Sequence, residues 1–187
     1  MRLQPRGLQA ILNVYMAVNL NRLLMRLEAN KHVVSALVVG VKEDQAHWKP
    51  DEASWSLVEV ICHLYDEERE DFRMRVDLTL HHPDTPWPPI HPTDWVTSRG
   101  YNQRNLDGPL AAWSNERDQS LAFLRGLVNP DWHASRPRPW GGTMSAGDLL
   151  AAWLAHDFLH IRQINALHYQ YHLLQSKPLD VTYAGEW

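Results

Sequence analysis

Residues 145–174, SAGDLLAAWLAHDFLHIRQINALHYQYHLL, decide the architecture of this chain. Ser145 with Asp148 three residues on reads as a helix N-cap, and Pro178 lies beyond the expected end of the element. Between them the sequence holds no proline and reads as one long amphipathic helix. His156 and His160 are four residues apart, so at about 3.6 residues per turn they lie nearly above one another on one face. Two imidazoles placed in this way can converge on one metal ion, but a zinc site usually takes at least three protein ligands. A partner must come from elsewhere in the chain, and His63 is the candidate.

Three more helices are expected before this frame. Residues 16–41 carry Val18, Leu20, Leu23, Leu24, Leu27, Val34, Leu37 and Val38 at three- and four-residue steps, after a lead-in or short helix of residues 1–15 that contains Pro5 and Gly7. Ser56 and Glu59 form an S-x-x-E capping box at the start of a helix over 57–80. That helix is expected to bury Val60, Ile61, Leu64, Phe72 and Val76, to hold His63 two turns in, and to keep the charges of residues 66–71 mostly in solvent. Residues 81–105 contain five prolines and a glycine, a composition that predicts neither helix nor central strand. A further helix over 106–128 presents Leu110, Trp113, Leu121, Leu124 and Leu127 and stops at Asn129-Pro130.

Four helices with almost no strand signal give an all-α class, most simply a four-helix bundle. The stretch of about 25 residues between helices two and three far exceeds the roughly 2–8 usual between antiparallel neighbours, so it is expected to cross the bundle and give up-down-down-up topology. Helices two and four are then antiparallel. The histidine level lies toward the start of helix two, beneath residues 42–55, the end of the crossover and the C-terminal segment. Those parts carry Trp48, Trp55, Trp95, Tyr101, Tyr183 and Trp187. One domain is expected over residues 1–187, with a core of about 16–173 and a C-terminal extension of 174–187.

With 187 residues, 44% of them hydrophobic, and nine tryptophans, one core can be built. Lys plus Arg is 18 against 22 for Asp plus Glu, a net charge of −4 without a basic run, so no nucleic-acid partner is expected. The single cysteine, Cys62, excludes an intrachain disulfide and Cys-rich metal sites, and suits a reducing cytoplasm. Gln9, Asn13 and Asn19 interrupt the apolar run near the start, so neither a membrane span nor an export signal is expected.

Three neutral imidazoles would leave an ion's charge uncompensated and a coordination position open, the pattern of a catalytic rather than a structural site. The spacing alone is not specific. The chain has 11 histidines, and no Glu stands inside the pair to make H-E-x-x-H. Glu67, four residues after His63, can face the ion as ligand, base or hydrogen-bond acceptor, against a solvated or ion-paired role within its acidic run. Gln163 shares a face with His160 and can hold a ligand or substrate, or tie two helices together. Asp157 points roughly 100° away from His156 and is expected to pair with a neighbour or with solvent. Cys62 should pack as a small hydrophobe, and Arg117 is expected as a buried structural cation, with an anion clamp as the alternative. The other eight histidines read as surface, capping or loop residues.

The segment WSLVEVICHL at 55–64, Arg117 in the third helix, the Gly-Gly-Thr loop at 141–143 and HDFLHIRQI at 156–164 together resemble the DinB/YfiT-like superfamily of small metalloenzymes. The resemblance covers about residues 16–173. It implies an up-down-down-up four-helix bundle, a divalent metal on His63, His156 and His160, a small-molecule substrate and a homodimer. Zinc or nickel is the expected ion, with iron next. Two chemistries follow from such a site: hydrolysis by acidified water, or transfer of a low-molecular-weight thiol to an electrophile, toward which the family's thiol-dependent transferases and isomerases tilt the expectation. A non-catalytic metal-binding or dimerisation module is the reading from a different class.

Overall fold

Ser56 and Ser145 start two bundle helices by the same device. Ser56 Oγ accepts from the Glu59 backbone N–H at 3.3 Å while a Glu59 carboxylate oxygen accepts from the Ser56 N–H at 2.8 Å. Ser145 and Asp148 repeat this with 3.0 and 2.9 Å. Each reciprocal pair satisfies N–H groups that a helix start leaves without partners, and so fixes where the helix begins and which face turns inward.

The structure is a computed structural model that describes residues 5–139 and 141–187, with side chains from residue 20 onward. Helix α1 runs Pro5–Val38, and a short α2, Glu43–His47, follows it. The second bundle helix is continuous through three parts: α3 (Leu57–Glu67), one π-helical turn (Glu68–Phe72) and α4 (Arg73–His81). Next come α5 (Pro92–Ser98), a 3₁₀ turn (Tyr101–Gln103) and α6 (Asp107–Gly126). A small antiparallel hairpin, β1 (Ser135–Pro137) with β2 (Thr143–Ser145), pairs Arg136 with Met144 and leads into α7, Ala146–Gln175.

Cross-helix partners fix the topology. From α1 to α6, Glu28 pairs with Arg125 while the later Lys31 pairs with the earlier Asp118, an antiparallel course. From α1 to α7, Asn30 pairs with Asp157 and Leu37 with His168, a parallel course. His63 meets His156 while the later Phe72 stacks on the earlier Trp153, so the second helix runs antiparallel to α7. The bundle is therefore all-α and up-down-down-up, with residues 82–106 as the crossover. Among the described residues no helix is long and apolar enough to cross a membrane. The expected lead-in is helical from Pro5, and the Val18 side chain lies outside the described residues.

Two expectations are corrected. The proline-rich crossover was expected to hold no helix, yet Pro92 opens α5 at its first turn, where a missing N–H costs nothing and the fixed φ suits the helix. The crossover is also tied down: Arg99 reaches Asp66 at 2.6 Å and Glu70 at 2.8 Å and lies 3.9 Å over the Trp95 ring, while the buried Tyr101 hydroxyl donates to Asp66 at 2.5 Å. The charges of residues 66–71 are not mostly solvated either. Asp66, Glu67, Glu68 and Asp71 are buried: cations from other segments reach Asp66 and Glu68, Arg75 pairs with Asp71 from the same helix, and a π turn interrupts the α-helical register at Glu68–Phe72.

The apolar core lies in two layers. One gathers Val34, Val38, Val60, Ile61, Leu64, Trp113 and Ile164 near the start of α3, and the other Leu24, Leu27, Phe72, Val76, Leu121, Leu150 and Trp153 toward the opposite end. Arg117 lies between them. Its Nε and Nη2 donate to Glu68 at 2.7 and 2.8 Å, Nη1 and Nη2 donate to Asp157 at 2.7 and 2.8 Å, and Nη1 also donates to the Leu27 carbonyl at 3.2 Å. Trp153 Nε1 donates to Glu68 and Asn30 to Asp157. Burial works against the Arg117 charge, but the Glu68 and Asp157 carboxylates outweigh it and raise its pKa. All four bundle helices are thus locked at one level, in the structural-cation role expected for Arg117, with Asp157 as its neighbour rather than at the surface.

Candidate metal centre

One residue away from each carboxylate of that junction, the chain turns its side chains to a different use. A step of one residue on a helix is a turn of about 100°, so with Asp157 aimed at Arg117, His156 is aimed at the second helix. His63, in the second turn of α3, faces it there, and His160 lies one turn further along α7. His63 Nε2 and His156 Nε2 are 3.1 Å apart, and His156 Nε2 and His160 Nε2 are 3.0 Å apart. One nitrogen from each of the three rings lies within 4.8 Å of the others.

The surroundings keep these imidazoles neutral. Burial first, and then the neighbouring His160 ring, pull His63 down to about 3 and His156 to about 2, and burial also lowers His160 against the opposing Gln163 hydrogen bond. His160 Nδ1–H donates to Gln163 Oε1 at 2.8 Å, which fixes the tautomer and leaves the Nε2 lone pair turned to the cluster. Trp55 covers it from outside: its ring centroid is 4.9 Å from that of His63 and it stacks parallel to His160 at 6.4 Å and 1°. Phe72, the last residue of the π turn, closes the other side at 5.1 Å from His156.

The donor set fits a divalent cation. Tetrahedral bonds of about 2.0–2.1 Å place ligand nitrogens about 3.3–3.4 Å apart, within a few tenths of an ångström of the two Nε2 separations here. Without a cation these atoms are poorly matched, since the His160 Nε2 lone pair and the His63 Nε2 both turn to the same His156 nitrogen.

Glu67, one turn after His63, is buried rather than solvated. Its carboxyl is pushed up to about 8, first by burial and then by the Asp71 carboxylate with which it shares a hydrogen bond, and its Oε1 has no partner. Asp71 is raised by burial as well and pairs with Arg75 at 2.6 Å. Cys62 is buried and its thiol raised to about 12 by burial, so it packs as a hydrophobe and offers no thiolate. Trp48 packs edge-on to Tyr171, Trp187 stacks on Tyr169 at 4.5 Å, and Tyr183 stands exposed away from the cluster. His168 is not a surface residue: it accepts from Gln45 at 2.8 Å and donates to the Leu37 carbonyl at 2.7 Å, joining α1, α2 and α7.

In the sequence Trp55 is one of several aromatics in the segments expected above the histidine level, with nothing to single it out. Its only signal was position, next to the Ser56 cap and a little over two turns before His63. The acceptors of Arg117 were missed as a set because they come from three separate segments.

Fold and cluster define a class, a helical bundle whose core can carry a metal on imidazoles. The chain belongs to the DinB superfamily, whose sequence profile matches residues 26–164. No curated protein sequence matches it. Among solved structures it is similar in fold to YfiT from Bacillus subtilis, with a TM-score of 0.73 and 18% identity over 82% of this chain and 87% of the other. YfiT is described as a probable metal-dependent hydrolase with an unusual four-helix bundle topology.

Proposed function

We propose that this protein is a metal-dependent hydrolase of small molecules, with a divalent cation, zinc or nickel first, held by His63, His156 and His160. The observation that carries the reading is the convergence of three neutral imidazoles, His63 and His160 buried and His156 half-buried, whose Nε2 atoms face one another at 3.0 and 3.1 Å. Such an ion, with a coordination position left open, supplies Lewis acidity and brings the pKa of water to about 7. The chain does the rest. Gln163 holds His160 in the tautomer that presents Nε2, Trp55 and Phe72 pack against the rings, and the buried Glu67 carboxyl, one helical turn after His63, would exchange a proton with the attacking water and the leaving group. We further propose that the active form is a homodimer, as in the family this chain resembles; light scattering should then return about twice the 21.7 kDa chain mass.

Elemental analysis of untagged protein, with His63→Ala, His156→Ala and His160→Ala beside it, tests the site. Each variant should lose bound metal while far-ultraviolet circular dichroism stays unchanged; equal metal content in all three variants and the wild type refutes the assignment. Metal-loaded protein should then hydrolyse activated esters without added thiol. Turnover that strictly requires a low-molecular-weight thiol would replace hydrolysis with thiol transfer, and since Cys62 is buried that thiol would have to be a co-substrate. Metal binding without turnover of either kind would leave the binding module.

A further inference from the structure

A groove of about 340 Å³ opens beside the histidine cluster, between the turn that precedes α3 and the C-terminal half of α7. Trp55 and Gln163 belong to both places: the Trp55 ring lies against His63 and His160, Gln163 holds His160 Nδ1, and both side chains also line the groove. From α7 the groove takes Gln163, Ala166, Leu167 and Gln170, a stripe with the i, i+3, i+4, i+7 spacing of one helix face. The opposite wall is formed by Trp55, Ser54 and their neighbours. None of its eight lining residues is charged.

This lining selects a chemistry. A charged group entering the groove would give up part of its hydration and meet no opposite charge on its walls. Ala166 and Trp55 both line the groove, and a small side chain with an aromatic ring suits an aromatic or alkyl group. Gln163 Oε1 is engaged by His160, so what this residue offers a ligand is its Nε2–H, a donor that calls for a carbonyl oxygen at the end nearest the histidines. Gln170 lies two turns further, about 10.5 Å along the helix at a rise of about 1.5 Å per residue, and its amide can both donate and accept.

Building on the hydrolytic reading of the histidine centre, we propose that this groove binds the non-reacting part of the substrate, and that this part is a neutral, amide-bearing chain with an aromatic or alkyl group against Trp55 and a carbonyl oxygen toward Gln163. Contacts of this kind lie away from the reacting bond and supply binding energy that orients it.

The test uses the full chain stripped of metal by a chelator, so that no ion can attract a carboxylate. N-acetylphenylalaninamide and N-acetylphenylalanine, which differ by one charge, are titrated while ligand-detected NMR follows binding. Saturable binding of the neutral probe is expected, with the carboxylate at least about tenfold weaker. Ala166→Trp, which fills the groove, should abolish binding of the neutral probe, and Gln170→Leu, an exposed position that touches no histidine, should weaken it several-fold. Equal or tighter binding of the carboxylate, no saturable binding of the neutral probe, or no effect of either groove substitution overturns the proposal. Failure of the metal reading shows elsewhere: wild-type protein without metal on elemental analysis that still prefers the neutral probe refutes the metal centre and keeps the groove.

Discussion

The Arg117 junction and the histidine cluster are neighbouring buried polar sites built from adjacent residues of the same helices, Glu68 and Asp157 in one, Glu67 and His156 in its vicinity. They differ in how completely they are partnered. At the junction every guanidinium N–H has an acceptor, and both carboxylates take further donors from Trp153 and Asn30. In the cluster ring nitrogens face one another, and His63 Nδ1 and the nearby Glu67 Oε1 have no partner. A buried network with complete hydrogen bonding holds helices in one arrangement, whereas a convergent set left unmatched is a site shaped for something else. The first fixes the rotations of the second helix and α7, and those rotations aim His63 and His156 at each other.

The largest effect that separates the two regions should come from Arg117→Ala. It leaves Glu68 and Asp157 buried without a cation, a change that costs about 3–5 kcal/mol, so urea unfolding should shift strongly. A wild-type midpoint for this variant would mean that the junction does not hold the bundle. Gln163→Leu should do the reverse. It removes the acceptor of His160 Nδ1 and should weaken metal affinity by about 10–100-fold while leaving unfolding nearly unchanged; a loss of stability without a loss of metal would make Gln163 a tie between helices.

The smallest effect is in the pH dependence of the metal-free protein. The folded values of His63 and His156, about 3 and about 2, lie below their ordinary 6.5, and His160 is also lowered. Below pH 6.5 the unfolded chain therefore takes up protons that the folded chain refuses, and stability falls as pH drops from 6.5 toward 3. Glu67 acts in the opposite sense, since its folded value of about 8 exceeds the ordinary 4.5. Its contribution is fully present below pH 4.5 and is lost as pH rises through 8. Stability should peak near neutrality, and Glu67→Gln should flatten the decline between pH 6.5 and 8. An unchanged alkaline limb in urea titrations of that variant would refute a protonated Glu67.

Much of this was legible from spacing. Ser56 with Glu59 and Ser145 with Asp148 announced two helix starts, and the distance from residue 81 to residue 105 announced the crossover, because capping and loop length are local properties. The His156–His160 step is local too. The inward turn of Asp66, Glu67, Glu68 and Asp71 was not legible, since the sequence of an acidic run is the same whether water or a distant arginine receives it. Arg99 comes from the crossover to Asp66 and Arg117 from α6 to Glu68, and their arrival makes those two burials affordable, while Asp71 pairs with Arg75 one turn further along its own helix. The π turn at Glu68–Phe72 left no trace in the periodicity for the same reason, as its wider hydrogen bonding is held in place by contacts from other helices.

By itself, then, the sequence determined the four helices, the order of their directions, and two imidazoles on one face of α7, because each depends on propensity, capping or periodicity within one segment. The tertiary structure decided that His63 completes the cluster, that Trp55 covers it, that the groove beside it is uncharged, and that Glu67 is buried with its carboxyl pKa raised. Those four facts depend on how two helices are rotated about their axes. That rotation is set by Arg117, whose partners lie 40, 49 and 90 residues away in the chain.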